Sequence, residues 1–187
     1  TMRYGLSETA ALQTITRNPS RELGIDEQVG TLEVGKSGDL AIFSGHPLSI
    51  FSRCEYTIID GQIHFDRGQQ PSAMSAAAAE RSAQPASDTL PGDGERLGRI
   101  EWPAVSERIA LTNAVIHPVD SDEVIEGTLL IRGETIEALG KDIAIPDGTT
   151  AVDLGGLHVY PGLIDAGSLL GLTEIGKVRE TQDFAES

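Results

Sequence analysis

Residues 56–65 read Tyr56-Thr57-Ile58-Ile59-Asp60-Gly61-Gln62-Ile63-His64-Phe65, and this stretch decides the fold class. On each side of Asp60-Gly61 lies a run containing β-branched and aromatic residues, which favour strands. An Asp-Gly pair supplies the two positive-φ residues that a two-residue hairpin turn requires. The stretch therefore predicts an antiparallel β-hairpin.

Short apolar runs separated by turn residues continue on both sides of this hairpin. Upstream, residues 29–32 and 39–43 are predicted strands, joined through a Gly35-Lys36-Ser37-Gly38 turn. Downstream, the predicted strands are residues 108–117, 127–132, 135–139 and 150–154. Lengths of about five or six residues are typical of antiparallel sheets. The pattern predicts a mainly β fold.

The first residues of the chain follow a helical pattern instead. Residues 5–17 are predicted as a helix with Ser7 as its N-cap. Asn18-Pro19 is expected to end this helix, because a residue before proline is disfavoured in the helical region. Asn18 is then the predicted cap of a second short helix, with Pro19 in its first turn and Gly24 at its end. We expect a short N-terminal helix pair without a basic face for DNA.

Residues 67–104 differ in composition from the rest of the chain. They are rich in Gly, Pro, Ser, Gln and Ala and contain few large apolar side chains. Such composition does not supply a core, so the segment is predicted to be a flexible linker. Trp102, near its end, is the expected packing anchor where the chain rejoins the fold.

The charge balance excludes two classes of partner. Acidic residues outnumber basic residues 29 to 14, which gives a formal net charge of −15. Basic residues do not cluster, so nucleic acid and anionic membrane surfaces are poor partners. No apolar run approaches the ~20 residues of a membrane-spanning helix. The expectation is a protein that binds no nucleic acid and has no membrane span.

Cys54 is the single cysteine of the chain. One cysteine excludes an internal disulfide and a zinc site built from several thiolates. We expect Cys54 to be a half-buried residue at a strand edge. Its reduced state fits the cytoplasm, although a fragment would not carry the signal peptide of its parent protein.

Two stretches carry a family resemblance. The first combines Gly5-Leu6-Ser7-Glu8-Thr9-Ala10-Ala11-Leu12, Thr16-Arg17-Asn18-Pro19 and Gly30-Thr31-Leu32-Glu33-Val34-Gly35-Lys36-Ser37-Gly38-Asp39-Leu40. It resembles the C-terminal end of the amidohydrolase superfamily, the metal-dependent hydrolases related to imidazolonepropionase and dihydroorotase. The second combines residues 108–140, Val152-Asp153-Leu154-Gly155-Gly156 and Tyr160-Pro161-Gly162-Leu163-Ile164-Asp165, and it resembles the N-terminal end of that superfamily.

The resemblance implies a domain organisation. In the superfamily both ends fold into a small β-sandwich, the composite domain, beside a (β/α)8 barrel. Residues 1–28 would be the helical end of a barrel, 29–66 the C-terminal half of the sandwich and 108–160 its N-terminal half. Residues 161–187 would begin a truncated barrel, of which at most the first strand is present. The chain is thus expected to join the end of one unit, through the linker, to the start of a second unit in tandem.

The resemblance also implies a metal site that this chain lacks. Active family members hold zinc or another divalent metal with a His-x-His pair after the first barrel strand, and the metal activates water for attack on a carbon–nitrogen bond. Gly167 and Leu169 stand at those two positions, and neither side chain binds a metal. We therefore expect no metal ligand, no cofactor and no catalytic residue in the chain itself.

The remaining candidates have structural interpretations that outweigh functional ones. The four histidines are His46, His64, His117 and His158, and they stand singly, without the spacing of a metal site. Asp165 is a weak candidate, because the C-terminal ends of barrel strands face the reaction site. A turn cap is the simpler role for its carboxylate.

Two functions follow from these observations. The first is an inactive fragment of a tandem amidohydrolase-like protein whose parent hydrolyses amide or cyclic amide bonds. The alternative is a non-catalytic β-sandwich that serves as a scaffold or binding module. The expected partners are the remainder of the parent protein and, through strand exchange across the linker, a second copy in a homodimer.

Overall fold

Two short helices open the part of the chain that the structure, a computed structural model, describes: residues 5–68, 100, 102 and 107–167. Helix α1 spans Glu8–Gln13 and helix α2 spans Arg17–Glu22. The Ser7 hydroxyl oxygen accepts a hydrogen bond from the Ala10 amide at 3.2 Å. The predicted N-cap is therefore confirmed. Both helices are too short to cross a membrane, and no other helix of the described residues could do so.

The boundary between the two helices differs from the prediction. Helix α1 ends at Gln13, whereas α2 begins at Arg17 and includes Asn18-Pro19. The prediction of Asn18 as a cap was wrong, because Thr16 occupies that position. Pro19 is tolerated inside α2 since a first-turn residue needs no amide hydrogen. Gly24 follows the C-cap with φ of 71°, as predicted for a helix end.

Eight strands follow within the described residues. They are β1 (Leu40–Phe43), β2 (Cys54–Ile59), β3 (Gln62–Asp66), β4 (Arg108–Ile116), β5 (Ile125–Arg132), β6 (Thr135–Gly140), β7 (Thr150–Asp153) and β8 (His158–Pro161). The mainly β prediction is confirmed. The β2–β3 hairpin also forms as predicted, with φ of 50° at Asp60 and 70° at Gly61.

The predicted strand over residues 29–32 is wrong. Gly30 has φ of 97°, which interrupts an extended backbone, and its α-carbon packs against Ser20 too closely for a side chain. The Leu32 amide instead donates one isolated hydrogen bond to the Pro118 carbonyl oxygen at 3.1 Å. The apolar run reflects burial of Leu32 in the core rather than strand pairing.

All eight strands belong to one hydrogen-bonded sheet in the order β3-β2-β1-β8-β4-β5-β6, with β7 paired to β4. A bulge between Leu111 and Ala114 divides the long strand β4. Before the bulge, β4 pairs in parallel with β7, and after it β4 pairs in parallel with β8. The sheet therefore forks along β4, with β7 beside its first part and β8 beside its second part. The division of the strands into the two packed layers of a β-sandwich stays a prediction.

Two parts of the sheet that are distant in strand order approach each other. Ser37, just before β1, forms an isolated bridge with Thr135 of β6. At the hairpin turns, the Gly61 α-carbon approaches the Gly133 carbonyl so closely that a Cβ on Gly61 would overlap it. The sheet encloses one apolar cluster that includes Leu40, Ile42, Ile58, Leu111, Leu129, Ile131, Ile136, Leu154 and Val159.

Little of the predicted linker lies in the described part of the chain. Arg67, Gly68, Ile100 and Trp102 are described, and the other residues of 67–104 lie outside the described residues. Trp102 packs against the apolar cluster, with its ring 5.1 Å from that of Tyr56 between centroids. The expectation that Trp102 anchors the returning chain is confirmed.

Candidate functional site

Histidines from distant parts of the sequence meet beside strand β8. His117 follows β4 directly and His158 opens β8, and the parallel pairing of these strands brings the two residues side by side. Nε2 of His117 and Nδ1 of His158 are 2.9 Å apart, a hydrogen-bond distance. Their rings stack with centroids 5.1 Å apart. We call His46, His117, His158 and Tyr160 the histidine cluster.

Tyr160 is the centre of this cluster and is completely buried. Its ring stacks on His117 with centroids 4.3 Å apart. The edges of Phe43 and His46 meet it at centroid distances of 6.0 and 6.3 Å. Helix α1 closes the other side, because Leu12 packs in the same small apolar cluster as Tyr160. The site is therefore assembled by α1, β1, β4 and β8 together.

Two polar atoms of the cluster are buried without a hydrogen-bond partner among the described residues: the Tyr160 hydroxyl and His46 Nε2. His46 Nδ1 accepts a hydrogen bond from the Leu48 amide at 3.3 Å, so Nε2 carries a ring proton. Both unpartnered atoms can thus donate. Buried donors without acceptors are destabilising in a folded protein.

Burial is the main cause of the pKa shifts of His117, His158 and Tyr160. Burial, followed by the charges of His158 and His46, lowers the pKa of His117 to about 4. Burial and then His46 also lower the pKa of His158. Burial raises the pKa of the Tyr160 hydroxyl, and the nearby Glu8 carboxylate adds to this shift. At neutral pH His117 is therefore neutral and Tyr160 keeps its proton.

The sequence pattern did not reveal this cluster. His46, His117 and His158 stand singly in the sequence, and only the pairing of β8 with both β1 and β4 brings them together. His64 does not join them, since it lies exposed on β3. The spacing of His158 and Tyr160, two residues apart on one strand face, was the only local signal.

The described residues do not fit a metal ion. Within residues 5–68, 100, 102 and 107–167, no group of three or more His, Cys, Asp or Glu side chains is placed to hold one. In the histidine cluster, His117 and His158 each use a ring nitrogen on the other. Tyr160 adds a buried, protonated hydroxyl rather than a ligand. The cluster is suited to packing and not to coordination.

Of the three positions expected near a reaction site, the structure describes two, Asp165 and Gly167. Gly167 is exposed and has no side chain, and Leu169 lies outside the described residues. The Asp165 carboxylate is exposed and accepts a hydrogen bond from the Gly167 amide at 3.2 Å. This contact caps a turn. Strand β8 ends at Pro161, and residues 162–165 form no strand. Residues 168–187, the rest of the expected barrel start, lie outside the described residues, so that expectation stays a prediction.

Cys54 begins β2 and is half-buried with a free thiol, in the position expected for it. Its sulfur lies 3.4 Å from the Tyr56 carbonyl oxygen.

Comparison with known proteins links the chain to one family. Residues 1–65 match the model of an amidohydrolase family. The amidohydrolase tasK of Hapsidospora irregularis is 27% identical over 183 residues, which are 92% of this chain and 18% of that protein. The imidazolonepropionase of Maricaulis maris is 50% identical over 40 residues, 21% of this chain and 10% of that enzyme.

A dihydroorotase of Geobacter sp. strain M21 is 45% identical over 49 residues, 25% of this chain and 12% of that protein. The chain thus spans less than a fifth of the length of each of these relatives. No solved structure matches it.

Proposed function

We propose that this chain, which belongs to the amidohydrolase superfamily, is the junction between two amidohydrolase-like units of a longer protein. Members of this family hydrolyse carbon–nitrogen bonds and generally depend on a metal. In this proposal residues 1–28 close the barrel of the first unit and residues 161–187 begin the barrel of the second. Residues 29–66 and 108–160 supply the two halves of a composite domain, joined by the linker at 67–104.

The long alignment supports a junction. It runs over 183 residues, so it includes both sequence stretches that resemble the family and much of the segment between them. The same 183 residues are only 18% of the relative, an amidohydrolase. A chain with the ends of two units in reversed order matches a continuous piece of a much longer protein if that protein contains units in tandem.

The observation that carries the proposal is the pairing of β1 with β8. Leu40 faces Pro161 and Phe43 faces His158 in an antiparallel ladder. Strand β1 lies in the part that matches the family model, and β8 leads into the stretch that resembles a barrel entry. In this proposal the end of one unit and the start of the next lie in a single sheet, which supports their assignment as two halves of a composite domain.

The chain itself is proposed to be inactive. Gly167 supplies no ligand at the first family metal position, and the Asp165 carboxylate is engaged by the Gly167 amide. His117 is neutral at neutral pH, stacks on Tyr160 and is hydrogen-bonded to His158. These features remove the means to activate a water molecule at this end of the sheet.

The alternative function is a non-catalytic scaffold or binding module. The glycine at position 167 favours it, because the second unit would then lack the metal pair even if its barrel were complete. Metal-binding histidines in later barrel strands of the parent protein would instead favour the first function, a fragment of an amidohydrolase-like enzyme.

The inactivity is tested with the purified chain supplied with Zn²⁺. We expect less than stoichiometric zinc by plasma mass spectrometry after gel filtration, and no turnover of amide or cyclic amide substrates. An imidazolonepropionase treated in the same way is the positive control for the bound-zinc measurement and for the turnover assay. Stoichiometric zinc together with turnover above the buffer rate would refute the inactive fragment.

A further inference from the structure

The loop between β1 and β2 is joined to the sheet by a narrow neck. We call residues 45–52 the flap loop. At the neck the Ser44 amide donates to the Arg53 carbonyl oxygen, and the Arg53 amide donates to the Ser44 hydroxyl oxygen, each at 3.0 Å. Just below the neck the pairing of β1 with β2 shifts register between Ile42 and Phe43. A bulge bends a strand locally, so the base of the loop is a place where the loop can turn as a unit.

The hydrogen bonds of the flap loop stay within the loop. The Ser49 amide donates to the His46 carbonyl oxygen at 2.9 Å, and the Ser52 amide donates to the Ser49 carbonyl oxygen at 3.1 Å. The Leu48 amide donates to His46 Nδ1 and the Phe51 amide donates to the Ser49 hydroxyl oxygen, both at 3.3 Å. Within the described part of the chain, the flap loop forms no hydrogen bond outside itself. The loop can therefore turn away without breaking a hydrogen bond to the sheet.

The inner side of the flap loop carries polar atoms that are buried but unpaired. His46 Nε2 and the Ser52 hydroxyl have no hydrogen-bond partner among the described residues. The same is true of the Tyr160 hydroxyl, and the edge of the His46 ring packs against the Tyr160 ring. These groups lost water on folding and gained no protein partner in return. A turn of the loop away from Tyr160 returns them to water, so their burial opposes the closed position.

The outer side of the flap loop is apolar. Ile50 is 91% exposed and Phe51 is 74% exposed, and Leu48 is also exposed. Large apolar side chains normally hold a loop down by packing beneath it. Here they lie in water, whereas polar atoms lie underneath. The ring contact between His46 and Tyr160 is thus the main contact that holds the loop down.

We propose that the flap loop is a hinged gate over Tyr160 and the His117–His158 pair, with the closed position shown in the structure. In the open position His46 turns away, and water reaches the side of Tyr160 that His46 covers. The two other histidines stay in place, because the pairing of β4 with β8 holds them. The gate concerns the loop alone and is independent of the proposed junction.

Thiol labelling at neutral pH tests the gate. Three variants are compared, each also carrying Cys54→Ser to remove the natural thiol. Ser52→Cys places a thiol at the buried hydroxyl position of the loop, Ile50→Cys at its exposed tip and Ala114→Cys in the sheet, where Ala114 is 1% exposed. We expect Ser52→Cys to react more slowly than Ile50→Cys. It is expected to react at least about 100-fold faster than Ala114→Cys, because local opening costs less free energy than unfolding.

Low concentrations of urea separate local opening from unfolding. Unfolding exposes much more surface than opening of one loop, so it depends more steeply on urea. Well below the unfolding midpoint, we expect urea to accelerate the labelling of Ala114→Cys and to leave that of Ser52→Cys unchanged. Equal rates with equal urea dependence would overturn the gate. Labelling of Ser52→Cys as fast as that of Ile50→Cys would also overturn it, since the loop would then have no closed position.

A matched pair of substitutions tests the cause of opening. Added to Ser52→Cys, Tyr160→Phe removes a buried unpaired hydroxyl beneath the loop and is expected to slow labelling about 3–10-fold. Thr149→Val removes another buried unpaired hydroxyl, just before β7, and is expected to leave the labelling rate unchanged. Equal effects of the two changes would contradict a gate driven by the groups beneath it.

The wild-type chain provides a second test that does not depend on the folding of Ser52→Cys. Diethyl pyrocarbonate modifies accessible histidine rings, and mass spectrometry follows each residue separately. We expect His46 to react more slowly than His64, which is exposed on β3, and to keep its rate in low urea. A His46 rate that rises with urea in parallel with unfolding would show that the loop opens only when the whole protein unfolds, which refutes the gate.

Discussion

The rings of His117 and His158 lie within hydrogen-bond distance, 2.9 Å between Nε2 and Nδ1, although the residues are 41 positions apart in the sequence. The contact depends on β4, which pairs in parallel with β8 only beyond its bulge. One ring must donate and the other accept, so at least one of the two rings is neutral in this contact. The hydrogen bond between the two rings therefore depends on the pairing of β4 with β8.

Acid is expected to destabilise the protein through His117. Its pKa is lowered to about 4 by burial and by its histidine neighbours, from an ordinary value of about 6.5. Between these values the unfolded chain binds a proton that the folded chain does not, so stability is full above about pH 6.5 and falls as the pH drops towards 4. With allowance for the partial exposure of His117, we expect a loss of roughly 1–2 kcal/mol.

Urea unfolding at a series of pH values measures this loss. His117→Gln removes the titrating ring and is expected to flatten the profile between pH 6.5 and 4. His64→Gln, on the exposed face of β3, is the control and is expected to keep the slope. An unchanged slope in His117→Gln would show that another group causes the acid sensitivity.

Removal of the Tyr160 hydroxyl is expected to be harmless or stabilising. This hydroxyl is buried without a partner, so Tyr160→Phe removes a polar group that lost its water on folding. Stability is expected to rise by up to about 1 kcal/mol in thermal or urea unfolding. Tyr56→Phe is the matched control, because the Tyr56 hydroxyl lies in hydrogen-bond contact with the Ile100 backbone, and its loss costs about 1 kcal/mol. A destabilised Tyr160→Phe would indicate that a bound water satisfies the hydroxyl.

Gly127 is expected to tolerate no side chain. A Cβ at this position in β5 would overlap the Gly140 carbonyl oxygen of the neighbouring strand β6. Gly127→Ala therefore forces the β5–β6 backbones apart and is expected to cost about 1–3 kcal/mol. Gly167→Ala is the control, because a Cβ at Gly167 meets nothing within 4 Å. Equal melting temperatures for the two variants would contradict the close approach of β5 and β6.

Local patterns predicted the local structure well. The Asp60-Gly61 turn and the Ser7 cap were predictable because each depends on a few adjacent residues. The run at residues 29–32 has a strand-like composition, but Gly30 and a single bond from Leu32 give it another conformation. Apolar character indicates burial, and burial does not require strand pairing.

The candidate site was not predictable because it is a product of topology. His46, His117 and His158 lie on three separate parts of the chain, and the parallel pairing of β4 with β8 leaves no periodic signal in the sequence. The same holds for the isolated bridge between Ser37 and Thr135. Contacts of this kind follow from the order of the strands in the sheet. A short stretch of neighbouring residues in the sequence does not reveal that order.

The coding sequence on both sides of this chain in the parent gene tests the central claim most directly. The junction predicts, upstream of Thr1, a composite-domain half and a (β/α)8 barrel in one open reading frame. It predicts a second barrel downstream of Ser187 in the same frame. Stop codons or unrelated domains directly flanking these 187 residues would contradict it.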